Sequence, residues 1–143
     1  MQFTMLLFAL TIGMFQSGVK PLSQDALKSY LEAKQAPFDF ILIDVRTAQE
    51  ITAAIGNAAC KPYNIEWATQ FRDIASKVPK DLAIVVYCRS GSRSARAAAF
   101  LHAAGYSNVY DAGGILTWNG PTVPPSEIKA TSLLPEPSMR ANK

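Results

Sequence analysis

Hydrophobic positions along this chain fall into short unbroken runs separated by stretches with helical spacing. Phe40-Ile41-Leu42-Ile43 and Ala83-Ile84-Val85-Val86-Tyr87 are continuous apolar runs, the pattern of strands buried on both faces of a parallel sheet. Around them the period changes. Ser23 is placed to cap a helix from Gln24 to about Lys34, with Leu27, Tyr30 and Leu31 on one face. Trp67, Phe71, Ile74 and Val78 recur at i, i+4, i+7 and i+11, which predicts an amphipathic helix running to about Lys77 and stopping before Pro79. An Ala-rich segment from Ser92 to Ala104 predicts another, ended by Gly105. Thr47-Ala48-Gln49-Glu50 fits a capping box that opens a short helix before Gly56. Ala58 to Lys61 reads as a short strand stopped by Pro62, and Asn108 to Asp111 as another, followed by Gly113-Gly114 and a turn through Trp118. Strands alternating with helices over short loops predict an α/β fold with a mostly parallel sheet.

The two ends differ from this middle. Residues 1–19 carry no charged side chain, and Met5 to Phe15 is an apolar run of the length of a signal-peptide core. The segment reads as an export signal, with an N-terminal anchor or a buried helix as alternatives. Against a signal stand the absence of Lys or Arg in Met1 to Thr4 and the lack of an A-x-A site. Five of the nine prolines lie between Pro121 and Pro137, so residues 121–143 are expected to form an extended tail. Residues 20–120 then form the domain.

Composition narrows the chemistry. Between Leu82 and Tyr110 stand Arg89, Arg93 and Arg96 with no acid and no Lys, while outside that window basic and acidic residues balance at 11 each. The net charge of +3 is thus one local feature. It argues for a focused anion site and against a nucleic-acid surface. One His and two Cys exclude a zinc site and a disulfide framework.

That window contains Tyr87-Cys88-Arg89-Ser90-Gly91-Ser92-Arg93-Ser94, between the strongest strand and the Ala-rich helix. A strand-to-helix turn is where open α/β sheets bind ligands. The helix N-terminus offers unpaired N–H groups and a positive dipole end, and small residues at Ser90, Gly91 and Ser92 let the backbone curl into an anion cradle. A thiolate at Cys88 falls inside it, a setting that lowers a thiol pKa. Cys60 has no such setting and reads as structural. Cysteine phosphatases and arsenate reductases use a C-x5-R loop to wrap a tetrahedral oxyanion; here Cys88 to Arg93 is C-x4-R. The narrower loop suits a smaller charged group, such as the outer sulfur of a persulfide.

Several ordered motifs carry a resemblance. Leu42-Ile43-Asp44-Val45-Arg46 followed by Glu50, the loop Cys88-Arg89-Ser90-Gly91-Ser92-Arg93-Ser94, Gly105-Tyr106-Ser107-Asn108-Val109 and Gly113-Gly114-Ile115-Leu116-Thr117-Trp118 resemble the motifs of a single-domain rhodanese, a thiosulfate-type sulfurtransferase of the short exported bacterial type. The likeness covers about Leu22 to Trp118. One stretch departs from it: the usual G-H-I-x-G-A is here Ala53-Ala54-Ile55-Gly56-Asn57-Ala58, a change expected to cost a little stability and no activity. The resemblance implies a five-stranded, mostly parallel sheet with helices on both faces. It implies that Cys88 carries sulfane sulfur from a small anionic donor such as thiosulfate to a thiol or cyanide acceptor. It further implies that the loop from Arg89 to Arg93 holds the persulfide, that Arg89 and Arg93 attract the donor, and that Asp44 and Arg46 form a structural pair near the site. From their places in the sequence, Trp67, Phe71 and Trp118 read as core aromatics, and His102, eight residues past the loop, reads as a surface or packing residue with no role in the chemistry. No cofactor, metal or nucleic acid is expected, and the protein is expected to be a monomer. Membrane contact is confined to residues 1–19, and the compartment expected is the periplasm or the exterior. The alternatives are a sulfur-carrier or interaction module of the same fold and, less well fitted by the loop length, a phosphatase or arsenate reductase.

Overall fold

The structure is a computed structural model that describes residues 18–33 and 38–136. The export reading of residues 1–17 lies outside the described residues. Among those described, no helix is long and apolar enough to cross a membrane.

Five parallel strands form one sheet. They are β1 (Lys20–Pro21), β2 (Phe40–Asp44), β4 (Tyr63–Asn64), β5 (Ala83–Cys88) and β6 (Val109–Gly114), in the order β1-β6-β5-β2-β4. The central strand β5 pairs in register with β2 from Phe40↔Ala83 to Asp44↔Tyr87, and on its other side with β6 from Ile84↔Val109. All six residues of β5 are buried, as its unbroken apolar run requires. Side chains alternate across the sheet. Ile41, Ile43, Val45, Ile84, Val86 and Cys88 join one core with helices α2 (Phe71–Ala75) and α3 (Ser92–Ala103). Leu42, Val85 and Tyr87 join the other, under Leu27 and Leu31 of α1 (Gln24–Glu32). Each fully buried aliphatic side chain contributes about 1.5–3 kcal/mol, so the two faces together fix where β5 ends. A short antiparallel pair, β3 (Ala54–Ile55) with β7 (Thr122–Val123), lies outside the main sheet.

Local signals formed the expected caps. Ser23 Oγ accepts from the Ala26 N–H at 3.1 Å, and Thr47 with Glu50 completes the capping box around a single 3-10 turn, Ala48–Glu50. Three expectations need correction. Ala58 to Lys61 is no strand, because Asn57 Oδ1 accepts from the N–H groups of Ala59 and Cys60 at 3.0 and 2.7 Å. This side-chain turn takes the backbone donors a ladder needs. The helix expected from the Trp67 periodicity is only Phe71–Ala75. Trp67 itself stays beside the sheet, its N–H donating to Val45 O at 3.1 Å.

The third correction concerns the Pro-rich end. It is irregular in structure but packed. The Lys129 N–H donates to Pro62 O at 2.9 Å, Tyr63 Oη donates to Leu133 O at 3.0 Å, Lys61 pairs with Glu127, and Leu134 is buried against the α2–α3 core. Beyond β7, residues 127–134 are therefore a strap over the β4 edge, which would otherwise present unpaired backbone groups. Leu134→Ala should lower unfolding stability by about 2 kcal/mol, the lower end for emptying a buried leucine site. Urea denaturation checks this, and an unchanged midpoint would show that the strap carries no core contact.

Candidate active site

β5 ends at Cys88, and α3 begins at Ser92 after three connecting residues. The residue in the N-cap position of α3 is Gly91, which has no side chain to satisfy the first-turn N–H groups and stands at φ +107°. Any residue with a Cβ is strained there. The cap comes instead from the end of the strand: the Gly91 N–H donates to Cys88 Sγ at 3.0 Å. Sγ lies 3.6 Å from Ser94 Oγ, one turn into the helix. Burial pushes the Cys88 thiol up, but hydrogen bonds from the backbone and hydroxyl of Ser94 and the N–H groups of Gly91 and Arg93 outweigh it. The net direction is below the ordinary thiol value. Helix-terminal donors aimed at one sulfur hold an anion there.

The loop is backed from behind. Register between β5 and β6 shifts between Val86 and Cys88, so Val86 faces Asp111 while Cys88 faces Gly114. This bulge brings Gly113-Gly114 against the loop. A Cβ on Gly114 would lie 2.2 Å from Arg89 O, so only glycine permits the approach. The Leu116 N–H then donates to Arg89 O at 3.2 Å. Ser94 Oγ faces two carbonyls, Gly91 O at 3.1 Å and Gly113 O at 3.3 Å.

Arg93 is paired with an acid from another part of the chain. Its guanidinium makes a two-pronged pair with Glu50, Nη1 to Oε2 and Nη2 to Oε1, both 2.7 Å. Glu50 Oε2 also accepts from the Thr47 N–H and hydroxyl at 3.0 and 2.8 Å. The Arg93 hydrogen bonds hold the Glu50 carboxyl far below the usual carboxylate range, and Glu50 in turn raises Arg93. Arg93 thus braces the loop against the 3-10 turn, and its charge also interacts with the Cys88 sulfur. Its partner lies 43 residues away in sequence, beyond the reach of a local charge count. Arg89, Ser90 and Ser92 are exposed in the loop and helix start that follow Cys88, and Arg96 is exposed a turn further along α3.

Asp44 and Arg46 form a buried ion pair at the carboxyl end of β2, with Arg46 Nη2 2.7 Å from Asp44 Oδ2. Arg46 Nη2 also donates to Ala53 O at 2.9 Å. The Ile55 N–H donates to Tyr87 Oη at 2.9 Å, and burial drives the Tyr87 hydroxyl far up, keeping it neutral. These contacts tie β3 to the sheet beside the site and do not reach the sulfur. His102 is exposed in the last turn of α3. Cys60 packs against the α1 core, and burial raises its thiol. Two contributors were given no role from the sequence: Ser94, visible as the residue closing the loop motif, and Glu50, visible in a capping box and in the motif that follows Arg46.

Comparison with known proteins agrees with this architecture. The model of the rhodanese-like domain matches residues 23–120, and the chain belongs to that family. It is 39% identical over 82 residues to a sulfurtransferase of Allochromatium vinosum, covering 56% of this chain and 72% of that one. It is 33% identical over 111 residues to YtwF of Bacillus subtilis, covering 74% and 96%. Among solved structures, a rhodanese-like domain protein from Staphylococcus aureus superposes with a TM-score of 0.60 at 27% identity, covering 78% of this chain and all of that one. The polysulfide-sulfur transferase homodimer of Wolinella succinogenes gives 0.54 at 26% identity, covering 82% and 87%. The family is one of sulfurtransferases, whose substrates are a sulfur donor and an acceptor.

Two outcomes follow from the geometry. Ser94→Ala should raise the pH midpoint of Cys88 alkylation by about one unit, the worth of one hydrogen bond to an ionised group; the measurement is made in a Cys60→Ser background. Glu50→Gln should lower the melting temperature at neutral pH. Glu50 titrates lower in the folded than in the unfolded chain, so its contribution is present above the ordinary carboxyl pKa and is lost as pH falls through the depressed one. The gap between wild type and variant should thus stay flat above about pH 5 and close only in strong acid. A gap that vanishes near pH 4–5, roughly the free carboxyl range, contradicts the brace.

Proposed function

We propose that the protein moves sulfane sulfur from a donor such as thiosulfate to a thiophilic acceptor, a thiol or cyanide, through a persulfide on Cys88. The observation that supports it most is the position of Sγ as the cap of α3, 3.0 Å from the Gly91 N–H, in a loop one residue shorter than phosphoryl chemistry uses. The Cys88 thiolate attacks the outer sulfur of the donor. A Cys88–S bond forms, the donor S–S bond breaks, and sulfite leaves with the electron pair. The negative charge now sits on the outer sulfur, about 2.05 Å from Sγ, where first-turn N–H groups receive it. An acceptor nucleophile then attacks that sulfur, and Cys88 leaves as the thiolate it was. No net oxidation occurs and no cofactor is needed.

Arg89, exposed beside the sulfur, draws the anionic donor in this scheme. Polysulfide is a second donor of the same chemistry, suggested by the name of the Wolinella relative. The proposal includes monomeric action and export directed by residues 1–19. Sedimentation and the mass and compartment of protein expressed with those residues decide these two points.

Intact mass after thiosulfate treatment should show an adduct of about 32 Da, one persulfide sulfur, that cyanide removes as thiocyanate. Cys88→Ser should abolish both adduct and turnover while far-UV circular dichroism is retained, and Cys60→Ser should leave them nearly unchanged. A stable adduct that no small acceptor discharges would favour a sulfur carrier over an enzyme. Cys88-dependent hydrolysis of aryl phosphates without sulfur transfer would overturn the proposal.

A further inference from the structure

Behind the loop lies a contact from the opposite end of the chain. Gln24 is the first residue of α1, directly after the Ser23 cap. Its Nε2 donates to Gly114 O at 2.8 Å and to Ala112 O at 3.1 Å. Its Oε1 accepts from Thr117 Oγ1 at 3.0 Å, which fixes which end of the amide faces the carbonyls. One carboxamide thus grips three positions of the segment that backs the active loop. Between the two gripped carbonyls sits Gly113, at φ +76°, whose own carbonyl accepts from Ser94 Oγ. Gly114 is the residue pressed against Arg89 O, and Leu116 donates to that same oxygen.

We propose that Gln24 is a positioning residue for this site: its carboxamide clamps the Gly113-Gly114 turn against the back of the Cys88 loop and so sets where Ser94 and Arg89 stand around the sulfur. The route is continuous, from Gln24 through the Gly113 and Gly114 peptides to Ser94 Oγ and Arg89 O. Ser94 is the sensitive link. Its hydroxyl has one proton, and two carbonyls and the sulfur lie around it. Where Gly113 O is held therefore decides whether Oγ stays within reach of Sγ. The two glycines have no side chains to lock the turn, and a bulged strand end has lost part of its ladder. A donor from outside the strand supplies the missing restraint. The consequence for turnover rests on the sulfur-transfer reading; the effect on Cys88 reactivity does not.

Two variants test the clamp. Gln24→Ala removes it. Gln24→Glu keeps the size of the side chain and places a carboxylate in the first turn of α1, where it suits the helix dipole, yet it has no N–H to give either carbonyl. The first readout is the pH profile of Cys88 alkylation by iodoacetamide in a Cys60→Ser background, with the melting temperature measured beside it. Both variants should shift the alkylation midpoint upward by about half a unit, making alkylation below the midpoint about threefold slower. Gln24→Glu should do so while melting close to the parent. With thiosulfate and cyanide, kcat should fall about three- to tenfold while KM changes less than about twofold, the pattern of a lost transition-state contact. A parental alkylation midpoint in both variants overturns the proposal, as does a shift in Gln24→Ala that tracks lost stability and is absent in Gln24→Glu. If the parent protein transfers no sulfur at all, the functional reading fails while the alkylation profile still judges the clamp.

Discussion

A helix must satisfy its first N–H groups, and here the satisfying atom is a sulfur. α3 opens on Gly91, a residue with no side chain to offer, and the strand before it stops three residues earlier at Cys88. With so short a connection the last side chain of β5 falls beside the first turn of the helix, and Sγ takes the place that a serine or aspartate oxygen holds in most helices. The orphan donors and the buried sulfur solve each other's problem. The remaining features of the site serve to hold that arrangement: the left-handed glycine lets the chain turn, the bulge in β6 brings a glycine peptide up behind it, and Arg93 fastens the helix to the Glu50 turn.

The charge at the site comes mostly from peptide dipoles. Of the three arginines in the acid-free window, Arg93 is neutralised by Glu50, while Arg89 and Arg96 are exposed to solvent. Exposed charges are screened over about 8–10 Å in physiological salt, so in the proposed reaction they would help draw a donor in without fixing it. The N–H groups of the first helical turn do not titrate, lose no side-chain entropy on engaging an anion, and are already aimed before one arrives. For the proposed reaction this division would give encounter to arginine and stabilisation to backbone. It also explains how a cysteine whose side chain is buried can still be held below its ordinary pKa: burial alone works in the opposite direction.

What could be read from the sequence was what is decided locally. The runs around Leu42 and Val85 were strands because nothing but a sheet buried on both faces accommodates them. Ser23 and Thr47 capped because cap and target are three residues apart. The loop at Cys88 was legible because cysteine, glycine and helix start lie within five residues. Misreadings came where a distant or competing partner decided. Asn57 outbid the strand expected at Ala58 to Lys61 with its own side chain, a signal present in the sequence but weaker in appearance than the run Ala58-Ala59-Cys60. Proline content made residues 121–136 look like a free tail, yet Leu134 and the Lys129 peptide had a core and a sheet edge to meet. Glu50, 43 positions away, decided the fate of Arg93.

Alternation across the sheet has a chemical consequence as well as a structural one. Cys88 points with Val86 and Ile84 toward α2 and α3, whereas Cys60 packs with Leu27, Leu31 and Tyr87 on the side of α1. These are the two cysteines of the chain, and the sheet stands between them. Two thiols joined by a disulfide need Cα atoms within about 7 Å and side chains that face each other, a condition opposite faces of a sheet do not meet. Under the proposed reaction, sulfur loaded on Cys88 would therefore have no internal thiol to resolve it within this fold. It would stay until a nucleophile arrived from outside, as transfer between molecules requires and as a redox cycle closed by an internal thiol does not.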